Sequence, residues 1–152
     1  MHKSLLPFIA LVVLSFSSSP AFSIDPVPDV HSASIGGYSP VSYFTKGKAE
    51  LGSKEYAVAY KGMVYYLASE EQVSLFNENP DKYRPRYSIC PFSLTKGKKM
   101  ALDPTNFKVF GDHLLLFHKS EGINGLSGWN QSKLTDKELI ERADKEYVLF
   151  RF

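Results

Sequence analysis

One cysteine, Cys90, and one tryptophan, Trp129, are all that the 152 residues hold of those two types, beside four histidines. A single thiol excludes an internal disulfide. It also excludes a dithiol oxidoreductase working alone, because that chemistry needs a second thiol to resolve the first. No sign of charge dominates either, with 18 Lys and Arg against 16 Asp and Glu. Such a balance is at odds with a nucleic-acid binder, whose affinity comes largely from neutralising phosphates with a basic face. Missing as well are a glycine-rich phosphate loop, a nucleophile elbow, and any histidine spaced with carboxylates as a zinc protease needs. An enzyme is therefore the weaker class. What the chain has in quantity is aromatic rings, 11 Phe and 9 Tyr, and without disulfides these must supply the core.

The first residues form an export signal. His2 and Lys3 precede the apolar run Leu5 to Phe16, which is short for a membrane span, and Ala21-Phe22-Ser23 places small residues where a signal peptidase reads. Residues 1–23 are expected to be removed, leaving a periplasmic or secreted chain with no stable membrane anchor. No cysteine follows the signal for lipid attachment. Residues 24–35, with Pro26 and Pro28, read as an extended arm that carries His31. Residues 36–152 suit one domain with one core.

Lys54 to Tyr83 organises that domain. Tyr56, Val58 and Tyr60 alternate with smaller or charged residues, Met63, Tyr65 and Leu67 share one face, and Lys61-Gly62 separates the runs. This is a hairpin. Ser69 stands three residues before Gln72, the spacing of a capping box, and Pro80 forbids the helix to continue. The helix should pack through Val73 and Phe76. Upstream, Tyr38 to Phe44 reads as a short strand or turn led by Pro40.

Downstream, Cys90-Pro91 opens a short helix, since proline suits the first helical position. Residues 106–110 and 113–117 flank Gly111-Asp112 as a second hairpin, whose Leu114-Leu115-Leu116-Phe117 is apolar on both faces and should be central. Ser120 to Ser132, rich in glycine around Trp129, is the most loop-like stretch. Thr135 with Glu138 makes a second capping box, and Leu139, Ile140, Ala143 and Tyr147 give an amphipathic final helix. The expected fold is α+β: a small single domain of two antiparallel β-hairpins with short packed helices and a C-terminal amphipathic helix. The two hairpins, each leading to a capped helix, do not establish an internal repeat.

Tyr65-Tyr66-Leu67-Ala68-Ser69, followed by Phe76, Asn79-Pro80 and Lys82-Tyr83, resembles the core of the YHS domain, Tyr-Tyr-Phe-Cys-Ser and then Phe, x-Pro and x-Tyr. Gly37-Tyr38-Ser39-Pro40-Val41 is similar to the opening of its exported branch. The resemblance spans roughly Gly37 to Gly97. It implies metal binding through cysteines, but the three positions concerned hold Ser42, Ala68 and Gln72 here. A serine hydroxyl and an amide are poor ligands for copper or zinc. The resemblance further implies thiol or redox chemistry near Cys90, although Tyr87-Ser88-Ile89-Cys90-Pro91-Phe92 lacks the glycines of the exported motif and is one residue shorter.

Cys90 thus has two readings. It is a small buried hydrophobe between Ile89 and Phe92, or a thiol activated by a helix N-terminus and nearby basic residues. In the second case Met100 and His113 are the first candidates for further ligands. His113 and His118 lie five apart on a strand and face opposite sides, so they cannot chelate one ion. Most tyrosines belong to the core, with Tyr38 and Tyr43 the candidates to line a ligand pocket. The expected function is an exported, non-enzymatic YHS-like module that binds a small ligand, metal or protein partner, with no cofactor required. The alternative is a thiol-dependent redox or copper-handling protein acting through Cys90.

Overall fold

Alternation of period two on both sides of a two-residue turn produces the first hairpin, and the same recipe recurs later in the chain. The computed structural model describes residues 33–150. The expected signal over 1–23, the expected arm as far as residue 32, and His31 lie outside the described residues. Strand β1 (Ser53–Tyr60) pairs antiparallel with β2 (Met63–Leu67), and β3 (Asp103–Phe110) pairs antiparallel with β4 (His113–Phe117). At the first turn Lys61 and Gly62 both take positive φ, 49° and 74°. That twist matches the right-handed twist of the flanking strands.

The two hairpins superpose in register. Tyr60 faces Met63 and Ala57 faces Tyr66, a bulge follows, and Ser53 closes on Leu67. Fifty residues on, Phe110 faces His113, Phe107 faces Leu116, a bulge follows, and Asp103 closes on Phe117. What precedes each hairpin also matches. Helix α1 (Ser42–Thr45) leads into Thr45-Lys46-Gly47-Lys48, and α4 (Pro91–Leu94) leads into Thr95-Lys96-Gly97-Lys98. The amide of Ser39 donates to the Glu50 carbonyl at 2.8 Å, and that of Cys90 donates to the Met100 carbonyl at 2.9 Å. A parallel bridge covers the free edge each time, Ala33 to Val64 and Pro85 to Leu114. The described chain is one structural unit built twice, so the repeat that the sequence does not establish is present in the backbone.

Helices close each unit. In the first, α2 (Glu70–Glu78) and α3 (Pro80–Tyr83) put the buried Phe76 and Tyr83 on Tyr65, Leu67 and Val41, with Val73 half-buried beside them. Pro80 both stops α2 and starts α3. In the second, α5 (Gly125–Asn130) and α6 (Asp136–Leu149) gather Trp129, Leu139, Ile140 and Ala143 on Leu115 and Phe117. The opposite face of β4, Leu114 and Leu116, receives Tyr43 from α1. Both faces of β4 are buried for that reason. Among the described residues no helix is long and apolar enough to cross a membrane.

Three local expectations are refined or corrected. Of the strand or turn expected over Tyr38 to Phe44, the turn is present at Pro40–Val41 after a single bridge from Tyr38 to Leu51, and the last residues wind into α1, whose lone turn is held by the Val41 carbonyl accepting from the amides of Phe44 and Thr45. The glycine-rich stretch after Ser120 is not loop. It forms the two-residue strands β5 (Lys119–Ser120) and β6 (Ile123–Asn124) and then α5, because the Asn124 side chain accepts from the Ser127 amide and Trp129 packs edge-on to Phe117. At α2 only half the capping box forms. Ser69 accepts from the Gln72 amide as expected, but the Gln72 side chain turns inward to other partners.

The box at Thr135 is complete, with Glu138 accepting from the Thr135 amide at 2.8 Å. Thr135→Ala should therefore lose about 1 kcal/mol in urea unfolding. No change at all would show that α6 is held by its packing alone.

Candidate functional site

The duplication gives each unit an interior position between its short first helix, its hairpin end and the start of its second helix. In the first unit that position is full. Gln72, 4% exposed, accepts through Oε1 from the Ser39 hydroxyl at 2.5 Å and the Ala68 amide at 3.1 Å. Its Nε2 donates to Ser42 Oγ at 2.9 Å, and Ser42 Oγ donates to Glu50 Oε2 at 2.7 Å. The three positions that the YHS resemblance assigns to cysteines, Ser42, Ala68 and Gln72, thus meet in space. They meet as a saturated hydrogen-bond network. Glu50 is partly exposed, and its carboxyl is held below the usual carboxylate range by hydrogen bonds from Lys46 and Ser42. An ionised Glu50 keeps Ser42 a donor.

In the second unit the corresponding position is a cavity of about 210 Å³. Met100 stands where Glu50 stands in the first unit and His118 where Ala68 stands, fifty residues on in both cases. Cys90, Phe92, Met100, His118, Asn124 and Gly125 are on its wall, with Lys96 and Lys98. Cys90 is 1% exposed and precedes α4 as its N-cap without a side-chain capping bond. Gly125 lies so close that a Cβ there would be 2.9 Å from Cys90 Sγ. His118 Nδ1 is 3.0 Å from the Ala101 carbonyl, which can only accept, so the proton is on Nδ1. Nε2 then offers a lone pair, which takes the Ser120 hydroxyl at 2.9 Å.

His118, rather than His113, is the histidine beside Cys90 and Met100. His118 is one residue beyond the end of β4, where the two-residue alternation no longer dictates direction. His113 belongs elsewhere, in a polar cleft of about 530 Å³. There the Arg86 Nη1 lies 3.3 to 3.4 Å from its ring nitrogens, and Arg86 forms a forked pair with Asp144 at 3.1 and 2.7 Å. Tyr87 donates to the same carboxylate at 2.8 Å. Burial pushes the Asp144 carboxyl up, and the hydrogen bonds from Arg86 and Tyr87 outweigh it and hold the group below its ordinary range. A depressed carboxyl adds stability above its unfolded value and loses it as pH falls through the folded one. Asp144→Asn should therefore flatten the acid limb of the stability curve below about pH 4. With the pair partly exposed the effect is less than about 1 kcal/mol, read by urea titration across that range. An acid limb of unchanged slope would remove the pair from the account.

Tyr43 and Tyr38 lie in the seam between units. The Tyr43 hydroxyl donates to the Pro104 carbonyl at 2.8 Å, and its ring is edge-on to Phe107. Burial, with Tyr38 and Asp103 near, raises the phenol so that it stays a donor. Tyr43 is buried and Tyr38 half-buried against the same cluster. They join the two units, away from Cys90.

Among the described residues no three His, Cys, Asp or Glu side chains gather as a metal site. The donors around the second cavity are a thiol, a thioether and an imidazole instead. Cys90 belongs to the core cluster with Leu94, Phe117 and Trp129, so its thiol should alkylate slowly in the native protein and fast in denaturant. Cys90→Ser should lose about 1–3 kcal/mol by placing a hydroxyl there. Rapid native alkylation would contradict this burial. No family model matches the chain, and no curated protein or solved structure matches it.

Proposed function

We propose that this protein is an exported, YHS-like, non-enzymatic binding module whose ligand occupies the cavity beside Cys90 in the second unit. The observation that carries this is the contrast between the units. Ser39, Ser42, Glu50 and Gln72 fill this region in the first unit, whereas in the second Phe92 stands in place of Ser42 against Gly128 and a half-open cavity lies beside Cys90. At about 210 Å³ the cavity is below the roughly 300–1,000 Å³ of drug-sized ligand pockets, so it suits a ligand of few atoms. Export rests on the N-terminal signal pattern in residues 1–23.

Catalysis by Cys90 is the less supported reading. A thiol nucleophile needs a base in hydrogen-bond reach, and the His118 ring is committed to Ala101 and Ser120. The chain has no second cysteine to resolve a mixed disulfide.

Native mass spectrometry of protein purified from its own compartment tests the proposal. A non-covalent mass above that of the processed chain is expected, lost on denaturation and reduced in Met100→Phe, a half-buried lining residue whose larger side chain narrows the cavity. A bare chain of full native fold, or an adduct that Met100→Phe retains in full, would overturn it.

A further inference from the structure

The seam between the two units holds an open cavity of about 630 Å³, a volume within the usual range for small-molecule sites. It shares no wall residue with the smaller one beside Cys90. The chain entering each unit builds it. Ala33 and Pro85 make the parallel bridges to β2 and β4, and the segments at those bridges, Ser34 to Gly36 and Arg84 to Arg86, both lie on the cavity wall. Much of the rest is apolar, with Met63, Leu102 and Pro104 on it. Met63 is 47% exposed, a large apolar side chain that a ligand here would take out of water. The backbone of the same wall is strained. Ile35 is β-branched and yet sits at φ 50°, ψ 38°, in the left-handed region that such side chains avoid, and backbone held against its preference is characteristic of ligand clamps.

The charged part of the wall is cationic, since Arg84 and Arg86 are on it and no Asp or Glu is. Arg86 spends its fork on Asp144. Arg84 does not: only its Nε is bonded, to Asp81 at 2.6 Å, and its two Nη groups have no partner among the described residues. Asp81 is moreover shared with Lys61 at 2.9 Å, so one carboxylate stands against two cations and a positive charge is left over. The Nη edge of a guanidinium matches the two oxygens of a carboxylate. We infer that the seam binds an apolar monocarboxylate, its head on the Nη groups of Arg84 and its hydrocarbon body against Ile35, Met63 and Leu102. A dicarboxylate would set its second charge against apolar residues, and a cation would meet Arg84. Binding is non-covalent, and this site goes beyond the cavity beside Cys90 and does not depend on it.

The experiment is titration of the isotopically labelled mature full chain with octanoate, followed by backbone amide shifts, with octanol as a probe of equal length and no charge. Saturating changes are expected at Ile35, Gly36, Arg84 and Leu102, with octanol weaker by about 10- to 100-fold. Arg84→Gln should bring octanoate down to the level of octanol. Ala101→Phe, at an exposed wall residue whose larger side chain narrows the cavity, should weaken both probes. Arg142→Gln, which removes an exposed charge away from this wall, should change neither. The Arg84 side chain is 38% exposed, and should Arg84→Gln still fail to fold, Ala101→Phe and the comparison with octanol keep the test valid. No saturable change with octanoate, equal affinity for octanol, full affinity in Arg84→Gln or Ala101→Phe, or changes centred on another surface would overturn the inference.

Discussion

Gln72→Leu is expected to lose about 2–6 kcal/mol of stability, because the partly buried Ala68 amide and the buried Ser39 hydroxyl both lose their acceptor and each unsatisfied group costs about 1–3 kcal/mol. The leucine has nearly the right volume, so packing alone predicts little change. Polar satisfaction therefore decides the sign. Gln72 Oε1 takes the Ser39 hydroxyl and the Ala68 amide while Nε2 gives to Ser42. Urea unfolding of the two proteins measures the difference. A loss below about 1 kcal/mol would mean that these groups find other partners and that the first unit is not closed by this network.

Trp129→Ala should be the most damaging single truncation in the second unit, at about 3–5 kcal/mol. The ring is 1% exposed and edge-on to Phe117 at 5.3 Å. Its Nε1–H donates to Asp136 Oδ1 at 2.6 Å, and the same oxygen accepts from Lys108 at 2.6 Å. One side chain thus ties α5 to β4 and to the start of α6. Trp129→Phe keeps the ring contact and loses the hydrogen bond, so its smaller loss separates packing from the Asp136 bond. Chemical denaturation reads both variants, and near-equal losses would assign the effect to the hydrogen bond.

Much of this architecture is legible in the residues. Period-two alternation around Lys61-Gly62 and Gly111-Asp112 gives both hairpins, Thr135 with Glu138 caps α6, and Cys90-Pro91 opens α4. These are short-range signals, decided by groups a few residues apart. The misread elements are those that distant contacts decide. Four residues of α1 carry no side-chain cap, and α5 runs through Gly125 and Gly128, a composition that favours coil until Trp129 finds Phe117. Gln72 had two competing sets of partners, and the buried one, thirty residues away in sequence, prevailed over the local box.

The candidate site divides in the same way. Cys90 and Met100 stand out from sequence as soft donors. His118 does not, because alternation along a strand says nothing about the residue just after it. The duplication left one sequence trace, Thr-Lys-Gly-Lys at 45–48 and again at 95–98. Matched fifty apart, the two runs put Met100 opposite Glu50 and His118 opposite Ala68. Few other residues repeat, since the two units pack different neighbours. Tyr43 reaches across to Leu114 and Leu116, whereas the equivalent Ser93 bonds back to the Cys90 carbonyl at 2.7 Å.

The account stands most directly on which of the two equivalent positions takes a ligand. Backbone amide shifts of the isotopically labelled mature chain, compared between protein purified from its own compartment and the same protein denatured and refolded free of small molecules, distinguish them residue by residue. The expected result is a single set of changes at Cys90, Ser93, Met100, His118 and Gly125, with Ser39, Ser42, Ala68 and Gln72 unmoved. Changes centred on Ser42 and Gln72, or none at all, would contradict it.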